Sequence, residues 1–322
     1  MDITLDFEKP VSELENQIKQ LKEAQNTPNI DISHEIDALQ AKVNKMLEDI
    51  YTKLTPWERT QLSRHPSRPH AIDYIEKIIT DFHEVHGDRR FSDDPSMITG
   101  FGYIDGQKVA VLGIEKGRKT QDKIKRNFGM ANPEGYRKAL RVMTLASQFG
   151  IPVITFVDTP GAYPGIGAEE RGQALAIAQN LEEMFNIKAP IISVIIGEGG
   201  SGGALGIAIA DKVFMMEYSV YSVISPESCA SILWSDPKMA ETAANCLQLS
   251  PAKALELKVI DDIIKEPAGG AHRHPDHAVE NVKKSIVSSL KSLKDKSIDD
   301  VLKLRFDKFR QMGNSTIIED NT

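Results

Sequence analysis

An apolar run meets a glycine tract between residues 190 and 210, PIISVIIGEGGSGGALGIAIA, and few folds accommodate that junction. Ile191, Ile192, Val194, Ile195 and Ile196 make a β-branched run of the kind that forms a buried strand. Five of the seven residues from Gly197 to Gly203 are glycine. Ala204, Leu205, Ile207, Ala208 and Ile209 then resume an apolar pattern, which predicts a helix over 202–210. Strand, glycine turn and helix together leave unpaired backbone N–H groups at a helix N-terminus, where they suit a negatively charged ligand oxygen. Glycine lets a ligand approach the backbone and permits positive φ where the turn needs it. Phosphate, pyrophosphate and an enolate are all served by this geometry, so the turn alone names no reaction.

Gly197, Gly199 and Gly202 satisfy G-x-G-x-x-G, and Glu217 lies about twenty residues on, as a dinucleotide fold asks. A glycine-dense tract meets that pattern easily, and here it falls late in a chain whose first strands form a hairpin. The phosphate-binding G-x-x-x-x-G-K-[ST] is absent, since no lysine follows Gly202 or Gly203. A net charge of −7 argues against nucleic-acid binding by bulk charge. The first residues, MDITLDFEKP, lack the apolar core of a signal peptide, and no stretch approaches the length of a membrane span. A cytoplasmic protein with no membrane partner is the expectation, with Cys229 and Cys246 as buried reduced thiols.

Along the chain, Ser12 and Glu15 form a capping-box pair, with Val11, Leu14, Ile18 and Leu21 at helical spacing. After a polar break around Asn26 to Asn29, Ile36, Leu39, Val43, Leu47 and Ile50 repeat the stripe, predicting an α-hairpin packed on itself or on a partner chain. Thr55, Pro56 and Glu58 start another helix, and a further one is expected over about 70–86. The runs ITGFGYI and KVAVLGI flank Asp105-Gly106, a hairpin signal. Beyond them helices (134–149, 168–186) alternate with strands (151–158, 190–197, 212–218), as in an α/β domain with parallel pairing. Residues 276–312 read as two helices. The expected division is a helical region at 1–90, a core at 91–268 and a helical tail at 269–322.

The strand ending at Asp158 enters a second glycine turn, DTPGAYPGIG, so two turns leave neighbouring strands at one sheet edge and suit one pocket. Residues 116–126 hold Lys116, Arg118, Lys119, Lys123, Lys125 and Arg126, either a solvated helix face or a phosphate or RNA contact. Ser201 between Gly199 and Gly203 fits G-x-S-x-G, but no downstream acid and histidine complete a triad. His272 and His274 lack a carboxylate at ligand spacing, and His83 and His86 are placed on an exposed polar helix, so no metal is expected. The chain offers backbone amides and little acid–base machinery, which is the equipment of oxyanion stabilisation.

Several longer motifs occur in order: NFGM-x-x-PEGYRKALR (127–141), ITF-x-DTPGAYPG (154–165), GAEERGQ (167–173), GEGGSGGAL (197–205), YSVISPE (221–227) and GGAHR (269–273). With them the chain resembles, nearly end to end, the α-subunit family of the bacterial acetyl-CoA carboxylase carboxyltransferase. Gly206 and Ser228 depart from that pattern, standing where Ala and Gly are expected. The resemblance implies an α/β crotonase-like fold, a ββα superhelix, with the N-terminal hairpin and C-terminal helices added. It implies transfer of a carboxyl group from carboxybiotin on a carrier protein to acetyl-CoA, giving malonyl-CoA, the first committed step of fatty acid biosynthesis. It further implies a β subunit of the same fold with a zinc ribbon, a biotin carboxyl carrier protein and an ATP-using biotin carboxylase, in an α2β2 assembly with no metal on this chain. By the same resemblance, the amides of Gly202 and Gly203 form an oxyanion hole for the biotin ureido oxygen, while a pair in β holds the thioester enolate. Gly199, Gly200, Ser201, Gly161, Ala162 and Tyr163 then line the substrate site. Two rivals stand beside it: a stand-alone crotonase-type acyl-CoA hydratase or isomerase using Glu169 and Glu170, and a non-catalytic RNA-binding scaffold using the basic run.

Overall fold

The computed structural model describes residues 3–25 and 32–313. Helices α1 (Lys9–Gln25) and α2 (Ser33–Thr52) form the N-terminal hairpin, followed by α3 (Pro56–Ser63) and α4 (Ala71–Ile78). An antiparallel unit of β1 (Thr80–Glu84), β2 (Met97–Ile104) and β3 (Gln107–Ile114) leads through α5 (Thr120–Lys125) and α6 (Pro133–Gln148) to β4 (Val153–Thr159). Then come α7 (Ile166–Glu170), α8 (Gln173–Asn186), β5 (Ile191–Gly200), α9 (Ser201–Leu205), β6 (Lys212–Met216) and β7 (Val220–Ser222). The chain closes with α10 (Pro226–Trp234), α11 (Ala240–Leu247), α12 (Pro251–Glu256), β8 (Asp262–Ile264), α13 (Pro275–Lys294) and α14 (Ile298–Gln311).

The sheet order is β1-β2-β3-β4-β5-β6-β8, with β7 pairing the end of β5, and every pairing from β3 onward is parallel. Both faces of the central strands β3 to β6 are covered, which is why they read as largely unbroken apolar runs and not as alternations. Val153, Val157, Ile191 and Ile195 face a core with Tyr136 and Val142 of α6. Ile154, Phe156, Ile192 and Val194 face the other way, onto Tyr74 and Ile75 of α4 and Val282 and Ile286 of α13. At Asp105 and Gly106 φ is +45° and +77°, the left-handed pair that joins β2 to β3 in register, with Ile104 opposite Gln107.

The hairpin α1–α2 packs on itself and on this molecule: Val11, Leu14, Ile18, Val43, Leu47 and Tyr51 share a core with Leu62 and Tyr218. The tail packs inward likewise, α13 laying its apolar face on the sheet.

Several expectations change. Ser12 does not cap α1, which begins at Lys9 after a short 3-10 turn whose Glu8 accepts from the Leu5 N–H at 3.4 Å. The expected break at 26–29 lies outside the described residues. The helix expected over 70–86 ends at Ile78, and Thr80–Glu84 forms an exposed edge strand on β2. Gly172, at φ +82°, separates α7 from α8 where one helix was expected. Helix α9 stops at Leu205, and Ile207 to Ala210 are buried without helical period. Cys229 is buried as expected, but Cys246 is exposed on α11.

Candidate active site at the two glycine turns

Adjacent parallel strands β4 and β5 end side by side, so the turns that leave them meet. Contact is backbone to backbone. A Cβ on Gly203 would lie 2.5 Å from both the Ala162 nitrogen and the Gly161 carbonyl carbon, and one on Gly200 would lie 2.3 Å from the Pro160 oxygen. Only glycine fits at either position. The first turn is shaped by Thr159, whose hydroxyl donates to the Gly161 carbonyl at 2.7 Å and accepts the Gly161 N–H at 3.0 Å. Gln173 donates to the carbonyls of Ala131 and Tyr163, and the Tyr163 N–H donates to Ala131, fixing the far side of that turn.

The glycines of the second turn divide into two sets. Strand β5 extends through Gly200, with Glu198, Gly199 and Gly200 in register with Val220, Tyr221 and Ser222 of β7 and Gly199 also beside Thr159 of β4. The backbone of Gly199 and Gly200 is therefore taken up by the sheet. Ser201, at φ +52°, turns the chain, and Gly202 and Gly203 fall in the first turn of α9, whose N–H groups have no intrahelical acceptor. Tyr136 donates to the Gly203 carbonyl at 3.2 Å, and Asn180 donates to that of Gly206 at 2.9 Å. Gly206 has a packing reason of its own, since a Cβ there would lie 2.7 Å from the Tyr136 ring.

Beneath the turns sits a buried ion cluster. The Lys116 ammonium lies 2.7 Å from Asp158 at the end of β4 and 2.6 Å from Glu198 at the end of β5. Arg64 holds the other oxygen of Glu198 at 2.6 Å and reaches Glu227, at the start of α10, at 2.5 Å. Asp158 also accepts the Glu198 N–H at 2.9 Å. Burial works against the charge on Lys116, but Asp158 and Glu198 outweigh it and raise its pKa. Burial likewise opposes the Glu198 carboxylate, and Lys116 and Arg64 reverse that, lowering its pKa. Glu198 is thus held as a carboxylate between two cations and is not poised as a base.

This cluster divides the basic run. Lys116 is buried among carboxylates, Arg118 pairs with Asp73, and Arg126 pairs with Asp122 at 2.8 Å and donates to the Pro95 carbonyl. Glu169 and Glu170 are exposed at the end of α7. The Ser201 hydroxyl has no hydrogen-bonded acid–histidine pair among the described residues. His83 and His86 are exposed as expected, but on and just after β1, not on a helix.

His272 comes within reach of Glu8 and His65, although sequence spacing put no carboxylate near it. Glu8 Oε1 there accepts from Tyr51 at 2.7 Å, His272 at 3.1 Å and Arg273 at 3.2 Å, so its lone pairs and charge are already matched. The arrangement fastens the N-terminal hairpin to the 269–274 loop.

The glycines stand out in the sequence, whereas Arg64, Asp158, Glu198 and Glu227 come together as a unit only in the fold. A signal was present: acids that end strongly apolar strands, as Asp158 and Glu198 do, need a cation brought to them.

A cavity of about 20 Å³, lined by Arg64, Glu198, Gly199 and Gly200, lies where the second turn meets β7 and the start of α10. The fold is crotonase-like, and the solved structures that the chain resembles share it. Transcarboxylase 12S matches with a TM-score of 0.58 at 20% identity, over 71% of this chain and 42% of that one. The β subunit of Pseudomonas aeruginosa geranyl-CoA carboxylase matches with a TM-score of 0.55 at 16% identity, over 79% of this chain and 46% of that one.

Sequence comparison is more specific. The family model described as acetyl co-enzyme A carboxylase carboxyltransferase-like matches residues 4–313, and the chain belongs to that family. It is 50% identical over 309 residues to the acetyl-coenzyme A carboxylase carboxyl transferase subunit alpha of Thermus thermophilus, covering 96% of this chain and 98% of the relative. It is 53% identical over 309 residues to the subunit of the same name from Geobacter metallireducens, covering 96% and 97%.

Proposed function

We propose that this chain is the α half of an acetyl-CoA carboxylase carboxyltransferase, a transferase that acts with a β subunit to carboxylate acetyl-CoA. The division of the second turn carries the reading of its site: the sheet takes up Gly199 and Gly200, while the amides of Gly202 and Gly203 begin a helix. Two convergent N–H groups of this kind favour negative charge on a carbonyl-type oxygen. In the proposed role they polarise the ureido oxygen of biotin, and the close approach of Gly203 to the Gly161–Ala162 backbone sets their direction. Carboxybiotin, delivered on a partner, supplies the carboxyl group and a ureido nitrogen able to take up the substrate's methyl proton. Lys116 and Arg64 are positioning residues: Lys116 joins the ends of β4 and β5, and Arg64 ties the end of β5 to α10, so that the two turns stay in contact.

In the proposed role the site is shared, and β supplies the rest of its wall. Ile166, Val223, Ile232 and Leu233 are 79%, 76%, 71% and 63% exposed on elements adjoining the turns, apolar surface that a partner would cover. The zinc ribbon on β, the α2β2 stoichiometry, the carrier protein and the ATP-using biotin carboxylase are the finer parts of this proposal. No described helix is long and apolar enough to cross a membrane, and a cytoplasmic location is proposed with the rest.

The test is carboxyl transfer in the reverse direction, from malonyl-CoA to free biotin, by the chain alone and mixed with its cognate β subunit. Activity confined to the mixture is expected. Acyl-CoA turnover by the chain alone, or none in a well-folded mixture, would overturn the reading.

A further inference from the structure

The outer face of α6 carries arginines that neither the core nor the glycine turns use. Arg137, Arg141, Thr144 and Gln148 recur at helical spacing and line a cleft of about 470 Å³. The loop after β1 brings Arg89 and Arg90 to the same cleft, and Gln179 of α8 also lines it. That loop is rigidly built: one Asp88 oxygen accepts the N–H groups of Arg90, Phe91 and Ser92 at 2.8–3.1 Å, and the other is held by Arg137 at 2.7 Å.

Asp88 is the one acid lining the cleft among the described residues, and it is fully engaged. Arg137 pairs with Asp88 and Glu134, while Arg141 donates only to the carbonyls of His86 and Gly87. Arg89, Arg90 and Arg141 therefore have no carboxylate partner among the described residues. Burial, and after it the neighbouring Arg89 guanidinium, press the pKa of Arg141 below its ordinary value. In a chain of net charge −7, three guanidiniums around one cavity with no carboxylate paired to them suit an anion.

We propose that this cleft, separate from the site at the glycine turns, binds a nucleoside diphosphate through its adjacent phosphates. Guanidinium forks match phosphate oxygens two at a time, and Thr144 and Gln179 supply neutral hydrogen bonds beside them. The cavity has the volume of a small-molecule site. Its arginines converge on one cleft instead of running along a face, which favours a compact ligand over a nucleic-acid strand.

The full-length chain would be titrated calorimetrically with ADP, coenzyme A and a single-stranded RNA oligonucleotide, as the native protein and as R89Q/R90Q and R141K. Saturable binding of ADP is expected, weakened at least about tenfold in R89Q/R90Q and less in R141K. Coenzyme A bound more tightly than ADP and weakened by the same substitutions would make the cleft part of the acyl-CoA site and overturn the proposal. If R89Q/R90Q fails to fold, weakening in R141K carries the same support. Absence of saturable ADP binding at millimolar concentration, ADP binding indifferent to these substitutions, or RNA binding that ADP does not displace would each overturn the proposal.

Discussion

Two buried charge clusters in this molecule use the same chemistry to different ends. Arg305 of α14 is 1% exposed and pairs with Asp211 at 2.7 Å. Its remaining donors go to the carbonyls of Met184, Ile187 and Ala189 around the C-terminal end of α8. This cluster is closed on all sides and joins a peripheral helix to the core. The cluster of Lys116, Asp158, Glu198, Arg64 and Glu227 instead opens to solvent at one edge, where the side chains of Arg64 and Glu227 are 30% and 39% exposed. It lies under two turns that touch through backbone alone. Side chains cannot hold those turns together from within, because a Cβ would separate them, so the fastening comes from below. One cluster secures a joint, and the other places a surface.

The largest effect is expected from Gly203→Val, which forces the turns apart. Carboxyl transfer by the assembled enzyme should fall by about 10²–10³, the range for loss of an oxyanion-hole donor. Gly202→Ala should cost much less, since its Cβ would meet only Ile177 at 3.7 Å. Equal losses would show that crowding between the turns is not what matters.

Next is Arg305→Met, which leaves Asp211 and three carbonyls without their donor. Urea denaturation should show about 3–5 kcal/mol of lost stability. Lys116→Met should cost less, about 3 kcal/mol, because Glu198 keeps Arg64. Its larger consequence should be on turnover, with Lys116→Arg restoring part of it.

The smallest effect concerns acid. Burial would raise the Glu8 pKa, but hydrogen bonds from His272 and Tyr51 outweigh it and hold it at about 2, below the ordinary 4.5. A folded pKa below the unfolded one means that this contribution is complete above about pH 4.5 and lost as pH falls toward 2. Amide exchange in α1 and α2 should rise over that window before exchange in α8 does. In Glu8→Gln it should be raised at neutral pH already, and an unchanged acid profile would contradict this role for Glu8.

The same contrast explains what could be read in the sequence. Strands β4 and β5 were legible because both faces are buried and the residues are β-branched, and the glycines were legible because only glycine permits the contact. Strand β1 was missed because TDFHE is an exposed edge whose polar residues continue the pattern of α4. The overlong α9 came from Ile207 to Ala210, which are apolar through burial and not through period. The ion cluster was invisible as a unit: Arg64 is 134 residues from Glu198 and Lys116 is 82, distances across which no local pattern operates.

The most direct test of the account is turnover per folded molecule in the enzyme assembled with β, measured for Lys116→Met and Arg305→Met side by side. The account predicts that Lys116→Met loses at least about tenfold in kcat (some 1.4 kcal/mol) while folded. Arg305→Met, held below its lowered melting temperature, should turn over like the native enzyme. Equal kcat values for the two variants would contradict the claim that the Lys116 cluster places the catalytic turns.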